Sequence, residues 1–208
     1  MILVCDLAKA NITKNNLKLL NKIIYIDPGH GGLDPGTIYK NIYEKDINLS
    51  ISKKLKKILE EEGAIVYLTR YDDYDLAING ALERKKSDLN NRAKIINKSK
   101  ADMYVSIHLN SIESSTWSGA QVFYDDVNSN NKEIAEIMQK ILKKKLKTNR
   151  KVKEINNMLM NRKITIPGVL IEVGFLSNPN ERYLLQNTEY QYKICEAIKK
   201  GIENYLLY

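Results

Sequence analysis

Ile23-Ile24-Tyr25-Ile26-Asp27-Pro28-Gly29-His30-Gly31-Gly32 passes from an apolar, β-branched run straight into a glycine-rich turn that carries a histidine. A short apolar run bounded by such a turn reads as a buried strand. A second run, Met103-Tyr104-Val105-Ser106-Ile107-His108-Leu109-Asn110, also brings a histidine to its end. A third, Val169-Leu170-Ile171-Glu172-Val173-Gly174, delivers a carboxylate instead. The chain has two histidines, and both lie in these settings. Open α/β sheets bind ligands outside the carboxyl ends of their strands, so the three runs read as edges of one pocket.

Outward from these runs, strand and helix signals alternate. Ile47, Leu49, Ile51, Leu55, Ile58 and Leu59 recur at helical spacing, with Gly63 as a C-terminal stop. Ala64–Leu68 and Ala120–Tyr124 read as strands, and Tyr71–Ser87 as a polar loop. Leu89, Ala93 and Ile96 mark one helix face. Ile134, Ile137, Met138, Ile141 and Leu142 mark another with lysines opposite, and Ile194, Ala197, Ile198, Ile202 and Tyr205 mark a last helix. This alternation predicts a single α/β domain, a mostly parallel twisted sheet covered by helices on both faces. Residues 1–21, rich in Asn and Lys with weak patterning, read as an N-terminal arm, and residues 22–208 as the domain. No internal repeat or low-complexity linker is evident.

At 208 residues the chain can bury a real core. Its 43% hydrophobic and 28% charged content is that of a globular protein. The net charge of +8 favours anionic partners, nucleic acid or bacterial wall polymers among them, although Lys, Asn and Ile are abundant throughout. Cys5 and Cys195 lie at opposite ends and form neither a disulfide framework nor a metal cluster; Cys195 is expected to face the core from a helix. No stretch approaches the ~18 apolar residues of a membrane span. Met1–Cys5 is too short for the apolar core of a signal peptide and lacks a basic stretch before it, and Val4 is too large to precede a lipid-modified cysteine.

The glycines around His30 allow a tight turn that aims the imidazole outward. The spacing is not that of a P-loop or a dinucleotide fingerprint. Glu44 falls in the first turn of the helix carrying Ile47 and Ile51, where an acid also complements the helix dipole. His108 precedes the polar pair Asn110-Ser111; a satisfied core histidine is the competing reading. Taken together, His30, Glu44 and His108 would make a His₂Glu set, an arrangement used by catalytic zinc with a fourth position open to water. Glu172 breaks an otherwise apolar strand. An unpaired buried carboxylate is costly, so it must face a cation, a proton or water. It reads either as half of a structural salt bridge or as a general base beside a metal site.

Asp27-Pro28-Gly29-His30-Gly31-Gly32, Glu44, Ser106-Ile107-His108-Leu109-Asn110 and Ile171-Glu172-Val173-Gly174-Phe175-Leu176-Ser177-Asn178 resemble the signature segments of the zinc-dependent N-acetylmuramoyl-L-alanine amidases (the Amidase_3 family). So do Thr69-Arg70 and Arg92-Ala93, and the resemblance runs in order from about Lys22 to the C-terminus. It implies Zn²⁺ held by His30, Glu44 and His108, with Glu172 as the catalytic carboxylate. It implies a peptidoglycan hydrolase that uses zinc-activated water to cut the amide between the lactyl group of N-acetylmuramic acid and L-alanine of the stem peptide. The implied partners are glycan strands with stem peptides and, as for many relatives, a separate activator protein; nucleic acid is not among them. The implied location is extracytoplasmic, in the cell wall or spore envelope. Asp125–Pro167 holds one amphipathic helix and, by expectation, a short connection, leaving little over for a self-blocking helix. With no wall-binding repeats either, the chain is most similar to sporulation-specific cortex amidases. Asn157-Met158-Leu159-Met160-Asn161 departs from the family's more aromatic stretch. Two other readings share these residues: a zinc peptidase or carboxypeptidase acting on wall peptides, and a non-catalytic wall-binding α/β module. Trp117, the single tryptophan, packs into the fold or stacks on a sugar ring.

Overall fold

The strand β1 (Ile23–Pro28) occupies an interior position in the computed structural model, which describes residues 17–207. Its neighbours on either side are β4 (Ile65–Leu68) and β5 (Met103–Asn110), both parallel to it. β1 and β5, buried on both faces, show the near-continuous apolar runs of a parallel sheet, whereas the edge strand β4 alternates, with Ile65 and Tyr67 exposed and Val66 and Leu68 buried. Six strands make the sheet in the order β4-β1-β5-β8-β6-β7, with β8 at Gly168–Phe175, β6 at Gln121–Tyr124 and β7 at Lys153–Glu154. All adjacent pairs are parallel except β6 with β8. No helix intervenes between β5 and β6, so the chain enters β6 from the carboxyl end of the sheet and runs back.

Three helices cover one face: α1 (Glu44–Glu60), α3 (Asn131–Leu146) and α5 (Thr188–Leu206). Ile51, Leu55, Met138, Leu142, Ile194 and Ile198 pack there against Ile24, Ile26, Val105 and Ile171 of the strands. Cys195 is buried in this layer and its Sγ donates to the Ile51 carbonyl. The opposite face is covered by α2 (Arg84–Lys98) and by the chain around Met160 and Ile164, which pack on Tyr25 and Tyr104. α2 begins inside the stretch expected to be loop. A small hairpin of β2 (Ile38–Tyr39) and β3 (Ile42–Tyr43) leads into α1, and α4 (Pro179–Leu185) follows β8.

One expectation needs correction. The connection after α3 is not short: residues 147–167 include β7 and a 3₁₀ turn at Asn161–Lys163, and they cross the second face. Strand and turn of two or three residues leave no periodicity to read, and their pairing is with distant segments. Of the expected arm, residues 17–21 fall within the description. Among these, Leu19 is fully buried and its N–H donates to the Glu62 carbonyl. Cys5 and the Met1–Cys5 stretch lie outside the described residues. Among the described residues no helix is long and apolar enough to cross a membrane.

Candidate active site

β1 ends in a turn whose backbone is unusual at the histidine itself. His30 has φ +62°, a left-handed conformation that costs a non-glycine residue about 1 kcal/mol. Two buried guanidinium groups hold the turn. Arg92 donates through Nη1 to the Pro28 carbonyl at 2.9 Å and through Nη2 to the His30 carbonyl at 2.7 Å. Arg70 donates through Nε to Pro28 and through Nη2 to Gly29, each at 3.0 Å. Arg92 is balanced by Asp27 and Asp88, both at 2.9 Å. Asp27 also accepts the hydroxyls of Thr69 and Ser106, each at 2.6 Å. Burial alone would raise the pKa of Asp27, but the Arg92 charge and the two hydroxyls reverse this and hold it at about 2.

The turn sets His30 against Glu44 and His108. His30 Nδ1 lies 2.9 Å from Asp34 Oδ2, which leaves Nε2, 3.1 Å from Glu44 Oε1, as the free nitrogen. A carboxylate on the far ring nitrogen fixes the tautomer that presents Nε2 as a ligand. Glu44, the first residue of α1, is buried and held by the N–H groups of Thr37 at 2.9 Å and Leu109 at 3.0 Å. Asn48, one turn on, donates to both Glu44 and the Gly29 carbonyl. His108 Nδ1 approaches the same Glu44 Oε1 at 3.2 Å. Gly29 is required here because a Cβ at that position would fall on the His108 ring. Gly36, at φ +66°, is required because a Cβ would meet Glu44 Oε2 and His30 Cδ2 at 2.7 Å.

One ligand atom from each of His30, Glu44 and His108 lies within 4.8 Å of the others. Edges of a tetrahedron of ~2.1 Å bonds are roughly 3.4 Å, close to the two His–Glu spacings. The surroundings favour positive charge at this point. Burial opposes protonation of His30, yet its hydrogen bonds to Asp34 and Glu44 outweigh burial and lift its pKa to about 9. Burial raises and the two imidazoles lower the pKa of Glu44, leaving it well below the ordinary carboxylate range. A site that attracts a proton so strongly also attracts a metal cation with nitrogen and oxygen ligands.

Glu172 faces the same cavity of about 510 Å³ as the three donors. It sits directly opposite His108 in the β5–β8 pairing. Its Oε2 is buried with no hydrogen-bond partner. Burial, then the neighbouring charge of Glu44, push its pKa to about 7 against the pull of the histidines. Met158 and Leu159 of the long connection wall the cavity on one side and Lys85 of α2 on another. Asp34, Asn48 and the clamping role of the two arginines were not apparent in the sequence. Asp34 stands four residues after His30 in a Pro-Gly turn, which was the one available signal.

Fold and pocket define an α/β protein with a metal-type donor set at the carboxyl edge of its sheet. The sequence profile of the N-acetylmuramoyl-L-alanine amidases (Amidase_3) matches residues 24–204, and the chain belongs to that family. It is 46% identical over 194 residues to the germination-specific N-acetylmuramoyl-L-alanine amidase of Bacillus subtilis, covering 91% of this chain and 82% of that one. Among solved structures it is similar to the CwlD amidase from Clostridioides difficile in complex with the GerS lipoprotein. That match has a TM-score of 0.85 and 43% identity over 89% of this chain and 98% of that one. The catalytic domain of the amidase CwlV from Bacillus (Paenibacillus) polymyxa gives a TM-score of 0.78 at 34% identity, over 89% and 98% of the two chains.

Proposed function

We propose that this chain removes stem peptides from peptidoglycan by hydrolysing the amide between the lactyl group of N-acetylmuramic acid and L-alanine. His30 through Nε2, Glu44 and His108 through Nδ1 hold Zn²⁺, and Glu172 is the proton-transferring carboxylate. The domain that does this spans residues 22–208. When bound, zinc supplies Lewis acidity toward the scissile carbonyl and toward water. Glu172 then has two tasks at one atom. Its buried Oε2 takes the proton of the attacking water and returns it to the alanine nitrogen as the C–N bond breaks, since an unprotonated amide nitrogen is a very poor leaving group. Asp34 keeps Nε2 of His30 free, and Arg70 and Arg92 keep the histidine turn in its left-handed form.

The observation that carries this reading is the orphaned Oε2 of Glu172. A structural carboxylate would have found a partner, whereas a proton carrier with a pKa near the working pH needs an open one. The 46% identity to a germination-specific amidase supports spore-cortex peptidoglycan as the substrate and an extracytoplasmic location. The similarity to an amidase solved with a lipoprotein supports stimulation by a separate activator. Glu172→Gln tests the chemistry. It should keep its zinc while release of free L-alanine amino termini from peptidoglycan falls about 10²–10⁴-fold. Near-normal turnover by that variant would refute the mechanism.

A further inference from the structure

The carboxyl edge of the sheet carries a second cavity, also of about 510 Å³, away from the histidines. It is lined by Trp117 and Gly119 of the β5–β6 loop, by Lys147, Thr148 and Arg150 after α3, and by Glu181 of α4. The Arg150 guanidinium is sandwiched between two rings, 4.4 Å from Trp117 and 4.7 Å from Phe175. Its Nε donates to the Ser118 carbonyl at 3.0 Å. Its Nη2 is buried and has no acceptor. A buried donor without a partner costs about 1–3 kcal/mol, so this cationic fork is held in place with unused hydrogen-bonding capacity. Both oxygens of Glu181 are taken by backbone N–H groups, those of Gly119 and Phe175, each at 2.8 Å. No hydrogen bond joins Glu181 to Arg150, although the Arg150 charge acts on the Glu181 carboxyl: burial raises its pKa and that charge pulls it back in part. Lys147 is exposed at the end of α3 and adds a second cation. Trp117 is 49% exposed, leaving much of its surface to solvent. Phe175 lies three residues beyond Glu172 on β8, roughly 10 Å along the strand.

An exposed indole offers stacking for the apolar face of a sugar ring, and a guanidinium fork suits a carboxylate. We propose that this cavity binds a muramyl sugar whose lactyl carboxylate is free, the ring on Trp117 and the carboxylate on Arg150 and Lys147. The inference rests on the amidase reading in one respect: that reaction creates such carboxylates along a glycan strand. The site would then hold the already stripped part of a strand while a neighbouring stem peptide enters the catalytic cavity.

Trp117 is the chain's single tryptophan, so intrinsic indole fluorescence reports this site alone. The zinc-loaded full chain is titrated with peptide-free glycan strands bearing lactyl carboxylates, and with a neutral chitooligosaccharide as control. A saturable fluorescence change is expected, at least tenfold weaker for the neutral oligosaccharide and at least tenfold weaker for Arg150→Gln. Lys147→Gln, on an exposed side chain, should weaken binding several-fold and decides the matter if Arg150→Gln fails to fold. No saturable change, equal affinity for the neutral oligosaccharide, or wild-type affinity in the variants would overturn the proposal. Binding needs no turnover, so release of L-alanine termini is scored separately. Saturation without release keeps this site and returns the amidase reading to a test with its activator present; release without saturation overturns this site and keeps the amidase reading.

Discussion

Asp27→Asn removes the charge that neutralises Arg92 beneath the histidine turn without changing side-chain size. The wild-type carboxylate is 1% exposed and accepts from Arg92, Thr69 and Ser106. Its pKa of about 2, against an ordinary 3.8, is worth about 2 kcal/mol at neutral pH. The variant also leaves the buried guanidinium with Asp88 as its single carboxylate, and breaking one side of a buried pair costs roughly 3–5 kcal/mol. The expected loss is therefore about 2–4 kcal/mol, or several degrees in Tm for a domain of this size. A lowered carboxyl pKa stabilises above the unfolded value and ceases to do so as pH falls through the folded one. The gap between wild type and variant should thus be full above about pH 4 and close toward pH 2. Chemical denaturation of the metal-free proteins across that range measures it. A difference under about 0.5 kcal/mol at pH 7 would show that the network beneath His30 is not what holds the turn.

Two further outcomes follow from the same site. Glu172→Gln should stabilise the metal-free protein by about 1–3 kcal/mol above pH 7 and by nothing below about pH 4.5, because a raised carboxyl pKa destabilises only where the folded group must ionise; pH-dependent denaturation would show an unchanged or reversed difference if the carboxylate were paired. His108→Ala should abolish tight zinc binding while circular dichroism stays that of the folded protein, since a core of this size does not depend on the metal; stoichiometric, chelator-resistant zinc in that variant would reassign the ligands.

How far the site could be read in advance depended on the kind of signal each residue left. His30, His108 and Glu172 each interrupt or close an apolar run, and a polar group there is anomalous on burial grounds alone. Glu44 left a weaker mark, because an acid opening a helix needs no further reason; the family resemblance singled it out. Asn48 and the arginine clamp act through carbonyls brought near by the turn, and no spacing in sequence encodes those contacts; Asp34 left only its place four residues after His30. The parallel core was legible from its β-branched runs. The reversed direction of β6 was not, since side-chain alternation is the same for a strand read either way. The chain between α3 and β8 hid its wall for a related reason: Met158 and Leu159 line the cavity from a segment with hardly any regular structure.

The pairing of His108 with Glu172 across β5 and β8 ties the placement of a ligand and of a proton carrier to the ladder of the sheet. Sliding one strand by a single residue would turn either side chain to the opposite face. Their separation is thus set by main-chain hydrogen bonds, which side-chain substitutions other than proline leave in place. The cavity wall at Met158 and Leu159 lies outside this ladder, so its sequence can change without moving the two side chains. What such changes would alter is which polymer arrives at the pocket.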